Sequence, residues 1–178
     1  MREMNDRERY DGVARALHWS TVGALILQFA VAWTMPDIHR GVAPVGLIAW
    51  HLSIGTAILL LVVARLIWRL THRPPPAPTS LSLALQWVSR LTHAGLYALL
   101  IALPVLGWAN ASARGYAVML FGIFPLPPLS ASGSPLGMAL GDVHQTAAIA
   151  LLVVVGLHVL GAVYHAVVVR DRTLQRMV

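Results

Sequence analysis

Two histidines fourteen residues apart, His144 and His158, lie in a long apolar run. Fourteen residues is close to four helical turns, so on a helix both imidazoles leave the same face, separated by roughly 21 Å along the axis. Ionisable side chains inside a membrane span mark functional sites by default. Four more histidines, His18, His51, His93 and His165, fall within or at the ends of apolar runs, whereas His39 and His72 sit in polar flanks. The chemistry open to such a set is metal ligation by neutral imidazole. A bare zinc ion needs about four ligands, and no Asp, Glu or Cys lies between the ends of any apolar run. Two histidines at one depth, from different helices, suit the two axial positions of a haem iron.

The elements that must position these side chains are membrane helices. The chain is 57% hydrophobic and 11% charged, too apolar for a soluble domain of this size. Four stretches, about 14–35, 45–70, 83–109 and 142–169, each approach or exceed the roughly 20 residues needed to cross a bilayer. The expected fold is all-α, an integral membrane four-helix bundle forming one domain over residues 1–178. Glu3, Asp6, Glu8 and Asp11 interrupt the basic leader, and the first apolar run is long and carries His18 and Trp19. These features favour a span over a cleaved signal peptide. Small residues such as Gly55, Gly95, Ala148 and Gly156 offer room for a flat macrocycle, although close helix packing alone needs them too.

All 13 basic residues are arginine, and their distribution sets the orientation. Arg2, Arg7, Arg9 and Arg15 precede the first span, Arg69, Arg73 and Arg90 lie at the second connection, and Arg170, Arg172 and Arg176 follow the last span. Only Arg40 and Arg114 occupy the opposite side. The positive-inside rule then predicts that both termini are cytoplasmic. The charge of +6 suits topology and anionic membrane lipid, and no nucleic-acid motif accompanies it. Arg73 and the prolines at 74, 75, 76 and 78 stop the second span. Residues 110–141 are longer than a hairpin needs, and the apolar piece Tyr116–Phe124 predicts a short interfacial helix or a cap over the bundle. Pro104 should kink the third span.

Counting inward from the outer helix ends puts His51 and His144 in the outer half. His18, His158 and His93 fall in the inner half, with His165 one heptad deeper than His158. The expected outer pair is His51 with His144. The inner partner of His18 is His158, His93 or His165, which counting does not separate. Arg65, fourteen residues after His51, returns to the same face at the inner level. It could bind a haem propionate bidentately or snorkel to lipid phosphate. Arg114 could serve the outer haem, attract an anionic substrate or be a plain loop arginine.

Taken together, the order and spacing resemble the prokaryotic cytochrome b561 family across nearly the whole chain. The matching pieces are His18-Trp19, His51 in a helix ending Val63-Ala64-Arg65-Leu66-Ile67-Trp68-Arg69-Leu70, and His93 ahead of Tyr97 through Gly107. Arg114-Gly115, His144, Gly156-Leu157-His158, Arg170-Asp171 and Thr173-Leu174 follow. The resemblance implies two haem b groups with His18, His51, His144 and His158 as axial ligands. It leaves His93 and His165 near a quinone or a propionate. It also implies a bacterial inner-membrane enzyme that oxidises superoxide to oxygen and reduces ubiquinone to ubiquinol, with Arg114 and Arg40 as candidates for superoxide attraction. The chain departs from a strongly cationic outer face, having no lysine. A related role, linking a periplasmic redox protein or a dehydrogenase or hydrogenase to the quinone pool, stays open. A transporter with histidine proton relays fits less well, because the spans contain no acid.

Overall fold

The computed structural model describes residues 9–38, 43–75 and 82–178. Four long helices dominate: α1 (Gly12–Thr34), α2 (Leu47–Thr71), α3 (Leu83–Ala113) and α4 (Pro135–Tyr164). All four are long and apolar enough to span a membrane, so the chain is a multi-pass membrane bundle. The helix starts follow local capping chemistry. Asp11 Oδ1 accepts from the Ala14 amide at 2.9 Å, and Ser82 and Ser134 cap α3 and α4 in the same way. Pro135 occupies the first turn of α4, where its missing N–H costs nothing.

The last two helices are longer at their shared end than the sequence expectation. α4 begins at Pro135 rather than near Asp142, and α3 runs to Ala113 rather than Ala109. Glycines allow this extension. A Cβ on Gly137 would run into Ser130 and Ala113, and one on Gly141 would stand 2.9 Å from Asn110 Nδ2. Asn110 in turn donates to the carbonyls of Gly137 and Met138, both at 3.0 Å. The two helices therefore close tightly at the end opposite the termini, called the loop end below.

Between them the chain forms no interfacial helix. A two-stranded antiparallel hairpin, β1 (Met119–Leu120) with β2 (Phe124–Pro125), stands there instead. Gly115, Phe121 and Gly122 adopt positive φ, which breaks any helical run. Ser53 of α2, only 4% exposed, donates to Met119 O at 2.9 Å and accepts from the Phe121 amide at 3.2 Å. The hairpin is thus the expected cap, built from strands and clamped to α2 by one hydroxyl.

The opposite end carries both chain ends. α4 continues as a π-helix, His165–Val169, and Arg170 turns the chain at φ 54°. The segment that follows passes beneath α1. The Tyr10 amide donates to Arg176 O at 3.1 Å, Trp19 Nε1 to Met177 O at 2.8 Å, and Arg15 Nη1 to Val178 O at 2.9 Å. Through the middle, Val31, Ile54, Ile58, Val62, Leu100, Leu103 and Leu151 form the apolar core.

Helix pairing is uneven. α1 packs on α2, α2 on α3 and α3 on α4, but among the described residues no Cα of α1 comes within 8 Å of α4, nor one of α2 within 8 Å of α4. Three packed interfaces thus leave α4 facing α1 and α2 across side chains alone. Because Ser53 holds both a buried carbonyl and a buried amide, Ser53→Ala should cost about 1–3 kcal/mol. Limited proteolysis between residues 115 and 128 should speed up in the variant while the helices stay intact; unchanged cleavage would contradict the clamp.

Candidate functional site

Histidines fill the space that α4 leaves open. The His51 ring on α2 and the His144 ring on α4 stand 6.0 Å apart, centroid to centroid, with planes at 79°. Nearer the chain ends, the His18 ring on α1 and the His158 ring on α4 stand 6.3 Å apart at 73°. Each pair therefore joins two helices whose backbones do not pack together. Leu151 lies seven residues from both α4 histidines and is 2% exposed, so apolar side chains separate the two levels.

The distances carry chemical meaning. With metal–nitrogen bonds of about 2.0 Å on each side, the centroids of two imidazoles flanking one metal ion stand roughly 6 Å apart. Both pairs have that spacing. His93 on α3 comes closer to His158, at 5.1 Å, which is short for a shared metal. Among the described residues no group of three or more His, Asp or Glu is placed to hold a metal ion. The donor set is thus neutral nitrogen in twos, which fits a group bringing its own equatorial ligands.

Ring orientation is fixed locally. His144 Nδ1 donates to Leu103 O at 2.9 Å, which leaves Nε2 with its lone pair, the usual arrangement of a ligating imidazole. The ring sits where a side chain on α3 would otherwise stand, since a Cβ on Gly107 would lie 3.1 Å from His144 Cε1. Pro104 follows Leu103 directly within α3. His93 Nδ1 donates to Ser89 O at 2.7 Å and is equally pre-set. His51 Nδ1 is buried without a partner, while Gln28 Nε2 approaches His51 Nε2 at 3.3 Å and donates to His51 O at 3.1 Å.

The arginines differ in placement. Arg65 Nη1 donates to His18 Nδ1 at 2.7 Å and lies within hydrogen-bonding reach of Tyr97. It therefore belongs to the His18, His93 and His158 cluster, as its spacing from His51 suggests. Arg114 is the C-cap of α3, where a cation suits the negative helix end, and its Nε donates to Asn110 Oδ1 at 3.0 Å. Arg40 and His39 lie outside the described residues.

His165 stands apart from both pairs. Its Nδ1 faces Asp171 Oδ2 at 2.7 Å, the only ion pair among the described residues. Burial pushes the Asp171 carboxyl upward, but hydrogen bonds from the Thr173 hydroxyl and amide and from His165 outweigh it and hold the pKa below its ordinary value. Three participants were missed in the sequence reading: Gln28, Asn110 and Tyr97. The signal for the first two was available, since an amide side chain inside an apolar helix usually bonds across to another helix.

Comparison with known proteins follows the same lines. Residues 9–178 match the profile of the family described as prokaryotic cytochrome b561. The chain is 31% identical over 174 residues to a protein of Yersinia pestis named probable superoxide oxidase CybB, covering 96% of each. It is 29% identical over 180 residues to cytochrome b561 homolog 2 of Escherichia coli, covering 97% of this chain and 93% of the relative. Cytochrome b561 homolog 1 of Escherichia coli is 28% identical over 174 residues, 90% and 92% of the two chains.

The depressed Asp171 carboxyl gives a pH prediction. A carboxylate whose folded pKa lies below the unfolded value contributes stability above the unfolded pKa, near 3.9 for Asp. That contribution is lost as pH falls through the folded value. Protection of the Thr173 amide, bonded to Asp171 Oδ1 at 2.9 Å, should persist at neutral pH and disappear only in stronger acid. Hydrogen exchange followed against pH measures this, and protection lost already near pH 6 would overturn it.

Proposed function

Because the chain belongs to the prokaryotic cytochrome b561 family, we propose that this haem b membrane oxidoreductase transfers electrons from superoxide to ubiquinone. The balanced reaction takes one electron from each of two superoxide ions, releasing two oxygen molecules. Ubiquinone gains both electrons and two protons to become ubiquinol. The observation that carries the reading is the pair of histidine couples, at 6.0 and 6.3 Å, on two levels of one bundle.

In this reading His51 and His144 hold one haem b, and His18 and His158 hold the other. When bound, the two groups supply one-electron carriers at the two depths. The chain's own residues bind and orient them. Leu103 O fixes the His144 tautomer and Gly107 leaves its ring space. Neutral His18 can ligate through Nε2 only with a proton on Nδ1, so Arg65, a donor only, turns from His18 towards a propionate. Gln28 likewise yields His51 Nε2 and keeps its bond to His51 O. His93, too close to His158 for a shared iron, serves as a neighbour that orders a propionate or a quinone oxygen.

Both termini are cytoplasmic and the membrane is the bacterial inner membrane, a reading supported by the arginine-rich terminal end. Arg114, held by Asn110 at the loop end, then offers a cation to an approaching anion on the periplasmic side, with Arg40 as a second. His165 faces Asp171 on the cytoplasmic side in this reading. The relative named probable superoxide oxidase supports the choice of donor. A second reading keeps the electron path but takes electrons from a periplasmic redox protein. Favouring it, the hairpin tip exposes Phe121, Ile123 and Phe124 at 52%, 68% and 63%.

Purified protein mixed with superoxide and ubiquinone separates the two: quinol should form faster than without protein, and no acceleration would sink the stand-alone enzyme. The ligand set has its own test in the reduced-minus-oxidised spectrum and haem count. His18→Ala or His158→Ala should remove about half of the b-type absorbance, as should Gly107→Leu through His144, whereas His93→Ala should keep all of it. Loss of half the signal in His93→Ala would reassign the inner ligand.

A further inference from the structure

At the terminal end the start of α1, the last turns of α2, the part of α3 around His93 and Tyr97, and Met177 enclose a cleft of about 320 Å³ whose wall carries Arg9, Arg65, Arg69, Arg73 and His72. Asp11 is the one carboxylate on that wall, and it is committed elsewhere. Asp11 Oδ1 caps α1 by accepting from the Ala14 amide, and both oxygens accept from Trp68 Nε1 at 3.1 Å. The ion pair between His165 and Asp171 involves no residue of the cleft. Among the described residues, four guanidiniums therefore share a small space with no carboxylate bonded to any of them.

We propose that this cleft binds the phosphodiester of an anionic phospholipid. Like charges crowded at a helix end are destabilising unless an anion joins them, and guanidinium binds phosphate oxygens bidentately. Basic pockets between membrane helices on one membrane face are a known mode of headgroup recognition. The cleft opens beside the last turns of α2, at the terminal end of the bundle. Trp68 stacks on His72 at 3.7 Å, and Arg90 lies over the Trp87 ring at 5.3 Å, an aromatic belt of the kind found at membrane interfaces. Beside it Ile67 and Leu70 are 57% and 78% exposed, a surface for acyl chains. Pro74 and Pro75 stiffen the wall behind Arg73. In the function proposed above a haem propionate engages Arg65, which leaves Arg9, Arg69 and Arg73 for a second anion. A neutral quinone ring would leave those three uncompensated, and a free phosphate would leave the apolar flank bare.

The arms of the site are Arg9, Arg69 and Arg73; Arg65 lies at its deep end and is not needed for the proposal. The proposal does not rest on the redox reaction, although Arg65 and His93 of the same cleft serve the haem or quinone in the function proposed above. The test uses detergent-purified holoprotein, native mass spectrometry, and titration with phosphatidylglycerol, phosphatidylcholine or soluble glycerol phosphate. One phosphatidylglycerol per chain should be retained in strong preference to phosphatidylcholine, and millimolar glycerol phosphate should not displace it. The double variant Arg69→Gln/Arg73→Gln should bind phosphatidylglycerol roughly thirty-fold more weakly, from the contribution of each arginine near an anionic headgroup, with haem content unchanged. Should the double variant lose its fold, Arg73→Gln, beyond the end of α2, should still weaken binding about five-fold. Equal retention of the two lipids, or unchanged binding in Arg73→Gln, overturns the proposal. Displacement by glycerol phosphate overturns the lipid source and points to a soluble phosphate.

Discussion

An imidazole inside a bilayer needs a partner for its nitrogens, because hydrocarbon supplies none and each unsatisfied group costs several kcal/mol. That demand shapes the rest of the bundle. α4 contributes two such rings on one face, and among the described residues the rings that meet them stand on α1, α2 and α3. Helices that packed α4 tightly against α1 and α2 would leave no room for rings facing one another. The observed bundle instead packs α4 on α3 alone and lets the histidines span the gap. Leu103, Gly107 and Ser89 on α3 then act as a scaffold, supplying the carbonyls and the clearance that orient His144 and His93.

The same logic explains why the two ends differ. At the loop end Gly137, Gly141, Asn110 and Ser53 bring backbone close to backbone, so α3, α4 and the hairpin form a rigid lid over the His51 and His144 level. At the terminal end α1, α2 and α3 line a cleft, and closure depends on a short peptide segment and a few indole and guanidinium bonds.

Much of this was readable from residue types and spacing. Four spans follow from composition, and the face shared by His144 and His158 follows from helical geometry alone. The facing of His51 and His144 follows from depth counting, although the count started from the wrong place. Asp142 looked like a boundary because it is charged, while Ser134-Pro135, a sound helix start, lay seven residues earlier. The counting survived because α2 and α4 overlap over several turns. The inner level was not separable by counting, since His18, His93 and His158 do gather together and only their distances distinguish them. The hairpin and the π-helix were illegible for a different reason. Two-residue strands and a five-residue π segment have no periodicity, and both depend on tertiary partners such as Ser53 and Asp171.

The tail beneath α1 has a consequence for biogenesis. Trp19, near the beginning of the chain, receives its partner from Met177, and His18 meets a ring on the final helix. The ribosome makes α1 well before these partners, so the helix must wait in the membrane until the later helices have followed it. The level formed by α1 and α4 can be assembled only after the last of the four helices has entered the membrane. Removal of Met177 and Val178 would strip bonds from the first of the four helices rather than from the last.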